Sequence, residues 1–212
     1  TPDTVGYLEP FVGGANMIQH IKHYKRFGSD IHPHLIALLE YAKDLNNVIP
    51  DYISEDEYNK VKNNKEAFPD WYNGLIGFCC SFGCKYYRGY ARSATNKNVV
   101  NMQIRSLLKQ RELLQNINFK CIPYQNIKEI KNFVIYCDPP YYGTEAYKHK
   151  FDHTSFWEWV RKFSINNTVL VSEYTAPGDF VTIFEKEIKV TMGQGETVGS
   201  KEATERLFKW NV

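Results

Sequence analysis

The sequence lacks several features that would place a protein in a class at once. It has no signal peptide, no lipidation motif and no apolar run long enough to span a bilayer, so we expect no membrane partner. Its net charge is only +2 over 212 residues, so any contact with nucleic acid must come from a local patch. It contains no repeat and no low-complexity segment. The length predicts one α/β domain with a small insertion.

Cysteines and metal-ligand patterns are equally sparse. The 5 cysteines are odd in number and scattered, which indicates reduced thiols and a cytoplasmic protein. Those between positions 79 and 84 are followed by no His at zinc-ligand spacing, so buried thiols are favoured. Histidines crowd between positions 20 and 34, but no carboxylate or Cys completes a recognisable ligand set. The sequence therefore predicts no metal site.

What the sequence does contain is organised around Asp138-Pro139-Pro140-Tyr141. The preceding apolar run, residues 133–137, is short and rich in β-formers, which is typical of a buried parallel strand. The two prolines end that strand, because neither can donate to a ladder. An acid, a rigid turn and an aromatic ring therefore follow a strand end, where open α/β sheets bind ligands.

These residue types suit the binding of a flat amino-heterocycle. The Asp138 carboxylate only accepts hydrogen bonds, and the Pro139 carbonyl is a second fixed acceptor beside it. Two acceptors match the two protons of an exocyclic amine, and Tyr141 offers a face on which the ring can stack. The tetrapeptide alone is equally consistent with a tight turn capped by its acid.

A glycine turn follows the first predicted strand, residues 6–9. Gly13 and Gly14 lie between that strand and a helix predicted over 17–24, where glycines let a ligand approach the backbone. The spacing is not G-x-G-x-x-G, which disfavours a dinucleotide.

An acid ends the second predicted strand, residues 26–29. Asp30 lies about 20 residues after the Glu9 turn, the placement that lets a carboxylate hold ribose hydroxyls. Asp30 is equally suited to cap the helix predicted over 33–43.

The composition changes from about residue 44 to residue 97, where Asn, Lys, Tyr and acids dominate. We expect a mostly helical or irregular insertion with an aromatic core formed by Phe68, Trp71, Tyr72, Phe78 and Phe82. Its end, residues 81–92, interleaves cations with tyrosines and glycines. That pattern is typical of a nucleic-acid loop, although a solvated loop with core tyrosines fits it too.

The rest of the chain alternates strands with helices. The patterns predict helices over 98–115 and 155–163, strands over 119–122, 168–172, 180–192 and 207–210, and a Gly-rich polar loop over 193–203. Tyr124 follows the third strand, where its ring suits either stacking on an adenine or ordinary packing. Such alternation favours a mostly parallel sheet covered by helices on both faces.

Together these stretches resemble the Dam-type (D12 class) N6-adenine DNA methyltransferases, particularly versions from phages and prophages. Residues 9–14 are similar to the cofactor motif of that family, Asp30 to its ribose-binding acid, and 138–141 to its catalytic motif. Further stretches typical of the subgroup are residues 81–93, 151–161, 171–177 and 199–208.

The resemblance implies a Rossmann-like class I methyltransferase fold with a terminal antiparallel hairpin. It implies S-adenosylmethionine as methyl donor and double-stranded DNA as partner, and it leaves open whether the role is restriction-modification, phage protection or orphan methylation. Residues 1–43 and 98–212 would form the catalytic domain, and 44–97 the inserted target-recognition region.

Site residues are carried over by position. The catalytic residues are Asp138, Pro139 and Tyr141. The cofactor-binding residues are Glu9, Pro10, Phe11, Gly13, Gly14, Asp30, Tyr124, Asp138 and Phe151. The candidate DNA-binding residues are Lys85, Tyr87, Arg88 and Arg92.

Two departures from the family affect what we expect of the cofactor. The family usually carries a Gly-Gly-Lys-containing segment before the first strand, whereas this sequence reaches that strand within a few residues of Thr1. We expect a form without the segment to have reduced cofactor affinity and activity. Pro123 stands where many relatives have an acid, so one hydrogen bond to the cofactor adenine is expected to be missing.

Two other functions fit the same sequence features. One is a catalytically impaired DNA-binding relative, and the other is a methyltransferase that acts on RNA or on a protein amide. The basic and aromatic segment 81–92 favours nucleic acid over protein.

Overall fold

The computed structural model describes residues 4–92, 98–142, 151–192 and 199–211. The strands in this part of the chain are β1 Gly6–Glu9, β2 Arg26–Asp30, β3 Ile117–Cys121, β4 Phe133–Cys137, β5 Thr168–Glu173, β6 Phe180–Met192 and β7 Gly199–Trp210. The α-helices are α1 Pro33–Lys43, α2 Glu55–Asn63, α3 Asp70–Gly74, α4 Val99–Leu114 and α5 His153–Ser164. No helix in these ranges has both the length and the apolar character needed to cross a membrane.

The strands form a mixed sheet in the order β3-β2-β1-β4-β5-β7-β6. The pairs β1/β4, β4/β5 and β2/β3 are parallel, whereas β7 runs antiparallel to both β5 and β6. The expected fold, a mostly parallel sheet that ends in an antiparallel hairpin, is confirmed.

The chain divides into two compact units. The first unit comprises Thr1–Phe11 and Gln125–Val212, and the second comprises Val12–Tyr124. The predicted catalytic domain and 44–97 insertion were defined by expected function, whereas these two units are defined by compactness. The predicted domain boundaries therefore stay a prediction.

The first unit is built around β4. Its apolar residues Ile135 and Cys137 are fully buried, as expected for a parallel strand with neighbours on both sides. Helix α5 begins after Asp152, whose carboxylate accepts a hydrogen bond from Ser155 N at 3.1 Å and so caps the helix. The buried face of α5 presents large side chains, including Phe156, to the core.

In the second unit, helix α1 packs against β2 and β3, and α3 and α4 pack against α1. Pro33 begins α1, a position that suits proline because the first helical N–H groups need no partner. Helices α1 and α3 approach so closely at Gly74 that an added Cβ would lie 2.1 Å from the His34 carbonyl oxygen. The stacked rings of Tyr41 and Trp71, 3.8 Å apart, join the same two helices.

The structure corrects three predictions of local structure. The helix expected over 17–24 is only a short 3-10 turn, Ile18–His20, because Met17 provides no side-chain cap and Ile21 is already extended. The polar loop expected over 193–203 is wrong for its second half, since β7 begins at Gly199 and pairs with β6. Residues 193–198 lie outside the described residues. Phe82 is 48% exposed and so does not join the aromatic core of its segment.

Candidate active site

Acidic residues stand at the carboxyl ends of three adjacent parallel strands in the first unit. Glu9 is the last residue of β1, Asp138 directly follows β4, and Glu173 is the last residue of β5. Because β1 and β5 both pair with β4 in parallel, these ends meet at one edge of the sheet. The unit therefore concentrates hydrogen-bond acceptors where α/β sheets bind ligands.

Asp138 combines exposure to solvent with crowded surroundings. Its side chain is solvent-exposed, so a ligand can reach it. Burial of the carboxyl by the surrounding protein atoms raises its pKa, a hydrogen bond from Tyr141 lowers it, and the charge of Glu205 raises it further. Within the described ranges Asp138 takes part in no salt bridge, so its acceptor oxygens are not committed to a cation.

Glu9, the first of the predicted cofactor residues in this unit, is a buried acid. Its side chain is 3% exposed, and burial raises its pKa to about 7 although a hydrogen bond from Tyr7 opposes the shift. The negative charge of Asp138 adds to the rise. Glu9 therefore changes protonation near neutral pH.

Tyr141 is held at its hydroxyl end. The hydroxyl donates to Glu205 Oε1 at 2.6 Å and lies 2.7 Å from Ser172 Oγ. Burial, with the charge of Asp138 next in size, raises the pKa of the phenol, so it stays protonated. The ring meets Tyr174 edge to face, with centroids 4.8 Å apart.

The backbone beyond the prolines is held by Glu173. Its two carboxylate oxygens accept from the backbone N–H groups of Tyr142, at 2.5 Å, and Tyr174, at 2.6 Å. Burial raises the pKa of Glu173, and these two hydrogen bonds oppose the shift. Residues 143–150, which follow this turn, lie outside the described part of the chain.

Aromatic rings surround the first predicted cofactor motif. Phe11 meets Phe151 and Phe156 edge to face, at centroid distances of 5.8 Å and 5.6 Å. Phe11 and Phe151 lie 140 positions apart in the sequence, and both were predicted to bind the cofactor. The structure brings their rings into contact. Pro10, which directly precedes Phe11 in the sequence, is buried.

In the second unit, the glycine turn is joined to Asp30. Gly13 N donates to Asp30 Oδ2 at 3.2 Å, and His32 N donates to Asp30 Oδ1 at 2.9 Å. Burial raises the pKa of Asp30, and these backbone bonds oppose the rise. Gly13 has φ +46, and a Cβ added there would meet no atom within 4 Å, so the turn leaves its backbone open.

The other predicted residues of the second unit differ in accessibility. Gly14 is exposed, and its carbonyl accepts from Gln110 Nε2 at 2.8 Å. Tyr124 is only 4% exposed and begins a 3-10 turn, Tyr124–Asn126.

The basic segment 81–92 forms a closed loop in the second unit. A bridge between Ser81 and Tyr90 joins its ends. Lys85 and Arg88 are exposed at its surface, and neither forms an ion pair within the described ranges. Arg92 is also exposed, but its guanidinium pairs with Glu55.

Tyr87 does not share the exposure of its basic neighbours. It is 9% exposed, and its hydroxyl donates to Asn73 Oδ1 at 3.0 Å. This burial does not fit a direct stacking contact with a base. The sequence identified the segment, but packing decided that Tyr87 is buried between the exposed cations Lys85 and Arg88.

Ser172 and Glu205 contact Tyr141 although the sequence motifs did not single them out as site residues. Ser172 Oγ donates to Glu205 Oε1 at 2.7 Å, which completes a triangle with the Tyr141 hydroxyl. A weak signal existed for Glu205, which lies two residues before the predicted terminal strand. If that strand is extended backwards, Glu205 lies on the same face as Leu207. Which side chain it would meet depended on the pairing of β5 with β7.

The strand order and the acid-rich edge place the chain among proteins with an open, mostly parallel α/β sheet. Within that class, residues 2–73 match the family model of D12 class N6 adenine-specific DNA methyltransferase. The resemblance seen in the sequence is confirmed over this stretch, which includes the Glu9 turn and Asp30. The match does not distinguish a phage-like subgroup.

Solved structures with a similar chain path share little sequence with this protein. An rRNA methyltransferase, AviRa from Streptomyces viridochromogenes, has 11% identity and a TM-score of 0.43, over 98% of this chain and 77% of that chain. SMU.472, a candidate methyltransferase in complex with SAH, has 11% identity and a TM-score of 0.31, over 88% of this chain and 48% of that chain. No curated protein matches the sequence.

Proposed function

We propose that this protein transfers a methyl group from S-adenosylmethionine to N6 of adenine in double-stranded DNA, with the target base turned out of the helix. The observation that carries the proposal is the exposed Asp138 carboxylate directly after the central strand β4. The family match over residues 2–73 supports the same substrate. The base must leave the stack because its N6 atom cannot be reached within the duplex.

Asp138 and the Pro139 carbonyl act as acceptors for the two N6 protons. Acceptors placed in this way favour a pyramidal nitrogen, whose lone pair is available for transfer, and they stabilise the positive charge that develops on it. Tyr141 supplies the face on which the adenine stacks. Asp138 is an acceptor rather than a general base, because a carboxylate is too weak a base for an aromatic amine.

The residues assigned to the cofactor come from both units, and those of each unit suit a different part of one adenosyl group. In the second unit, Asp30 keeps acceptor capacity beyond its backbone bonds and suits ribose hydroxyls, beside the open backbone of Gly13. In the first unit, the apolar rings of Phe11 and Phe151 suit a flat heterocycle. When bound, S-adenosylmethionine supplies an electrophilic methyl group, and alignment of the acceptor nitrogen with it provides much of the rate.

Transfer of tritium from labelled S-adenosylmethionine to adenine-containing duplex DNA tests this function, with RNA and protein substrates in parallel. We expect label in DNA alone, and loss of transfer in Asp138→Ala with cofactor binding affected less. Glu187→Ala, which removes an exposed acid on β6, is the matched control.

Each other outcome overturns a defined part of the proposal. An active Asp138→Ala variant would remove the catalytic assignment. Label in RNA or protein but not DNA would replace the substrate. Calorimetry that detects no binding of S-adenosylmethionine at millimolar concentration, with DNA binding intact, would identify a catalytically impaired DNA-binding relative.

A further inference from the structure

The 138–142 turn cannot hold itself through its own backbone. Pro139 and Pro140 have no N–H group, so two of its residues cannot donate hydrogen bonds to neighbouring strands. The sequence provides rigidity at the prolines but no anchor at either side of them. Partners from other elements must therefore fix where the carboxylate of Asp138 and the ring of Tyr141 point.

Glu173 is the anchor of the backbone on the far side of the prolines. Its side chain is 1% exposed, and both of its oxygens are used, one by Tyr142 N and the other by Tyr174 N. Tyr142 itself is 69% exposed, whereas the acid that binds its backbone N–H is buried. A buried carboxylate at the end of β5 thus fixes the end of the turn.

Glu205 is the anchor of the Tyr141 side chain. It reaches from β7 and accepts from both the Tyr141 hydroxyl and Ser172 Oγ through the same oxygen, Oε1. Ser172 belongs to β5, so the shared acceptor Oε1 of Glu205 links the Tyr141 hydroxyl to a side chain of β5 as well as to β7. The anchored hydroxyl fixes the direction of the ring axis, so the ring cannot swing away from the turn without breaking these contacts.

The Tyr141 hydroxyl has one proton and two acidic neighbours. The 2.6 Å hydrogen bond to Glu205 uses that proton, and Asp138 is the other acid whose charge acts on the phenol. When the proton goes to Glu205, both oxygens of Asp138 are available to a substrate amine. Glu205 therefore influences the acceptor capacity of Asp138 as well as the position of the ring.

We infer that Glu173 and Glu205 are positioning residues of the proposed adenine site, one acting through the backbone of the 138–142 turn and the other through the Tyr141 hydroxyl. The inference deepens the proposed function and rests on it for its catalytic part. Neither residue needs to touch the substrate.

The two anchors predict opposite responses to the same isosteric change. Glu173 uses two acceptor oxygens on two N–H groups, and glutamine has only one such oxygen, so Glu173→Gln places an NH2 group against a backbone N–H. Glu205 uses one oxygen for both of its bonds, which a glutamine oxygen reproduces. Glu205→Gln should therefore rescue what Glu205→Ala loses.

Methyl-transfer kinetics on duplex DNA test both anchors. We expect Glu173→Gln and Glu205→Ala to lower kcat by roughly 10-fold to 100-fold, the order expected for a misplaced catalytic group, with KM for S-adenosylmethionine within about 2-fold. Glu205→Gln should return kcat to within about 3-fold of wild type, since the acceptor geometry is kept. Glu187→Gln, on the exposed part of β6, is the control for loss of charge.

A double-mutant cycle separates positioning from general damage to the fold. Because Glu205 acts through the Tyr141 hydroxyl, adding Glu205→Ala to Tyr141→Phe should cause no further loss of kcat. Additive losses would overturn the role of Glu205. A Glu205→Gln variant as weak as Glu205→Ala would overturn it as well.

Amide hydrogen exchange reports on the turn without any need for turnover. The Tyr142 amide should be protected in the wild type and should lose protection in Glu173→Gln but not in Glu187→Gln. An unprotected Tyr142 amide in the wild type would overturn the role of Glu173. If the wild type transfers no methyl group to adenine, the proposed function fails, and the protection of Tyr142 still decides whether Glu173 holds the turn.

Discussion

The Tyr7 hydroxyl donates a hydrogen bond of 2.8 Å to Oε1 of Glu9, two residues later on β1. Both side chains are buried, and they share a face of the strand because their spacing is two residues. The bond satisfies one oxygen of an acid that water hardly reaches. It does not offset burial fully, since the pKa of Glu9 stays at about 7.

Glu9 should make the free energy of unfolding depend on pH. Its pKa rises on folding from 4.5 to about 7, so the folded state binds more protons between these values and is favoured at low pH. The stabilisation is complete below pH 4.5 and is lost as pH rises through 7. Relative to Glu9→Gln, the wild type should lose about 3 kcal/mol over this range.

Urea unfolding at intervals from pH 4 to pH 8.5 measures this difference. Glu187→Gln, which removes an exposed acid on β6, is the control and should follow the wild type. A constant difference between wild type and Glu9→Gln at all pH values would contradict the prediction.

The cations of the 81–92 loop should contribute unequally to DNA affinity. Lys85 and Arg88 are exposed without an ion pair in the described ranges, whereas Arg92 faces Glu55, with Nε 3.2 Å from Oε2. Lys85→Ala and Arg88→Ala should each weaken binding and reduce the salt slope by about 1.

Fluorescence anisotropy with duplex DNA at several salt concentrations measures these slopes. Arg92→Ala should have a smaller effect, because its charge is already partly neutralised by Glu55. Lys109→Ala, an exposed cation on α4, is the control. Slopes that do not change in any loop variant would place the DNA contact elsewhere.

Tyr87 should stabilise the second unit rather than contact DNA. Tyr87→Phe leaves the buried Asn73 Oδ1 without its hydroxyl donor, which should cost about 1–2 kcal/mol of unfolding free energy. DNA affinity of the folded variant should stay unchanged. Tyr24→Phe, at a 74% exposed ring, is the control for stability, and a loss of affinity without loss of stability would restore Tyr87 to the interface.

Gly74 should be sensitive to the smallest possible side chain. Gly74→Ala places a Cβ 2.1 Å from the His34 carbonyl oxygen, a backbone atom that can move only with α1. We expect about 2–3 kcal/mol of destabilisation from the forced separation of α1 and α3. Gly178→Ala meets no atom within 4 Å, so thermal unfolding should separate the two variants clearly.

Several elements could be read from local sequence because their causes are local. The apolar run of β4 ends at two prolines, and α1 begins at Pro33, so the predicted and observed bounds agree. The prediction of a helix over 17–24 was wrong for a local reason too, since the cap position Met17 makes no side-chain hydrogen bond and the backbone is already extended at Ile21. The predicted start of β7 was wrong for a different reason, because its polar first half is a strand only through pairing with β6.

By itself, the sequence determined the sheet class, the placement of Asp138 after the central strand and the glycine turn before Asp30. Composition, proline and glycine act through neighbouring residues, so their effects are visible in the chain order. Only the tertiary structure decided that Glu173 and Glu205 hold the 138–142 turn, and that Tyr87 is buried while Lys85 and Arg88 are exposed. These relationships join residues far apart in sequence, and strand pairing and side-chain packing, rather than local propensity, bring such residues into contact.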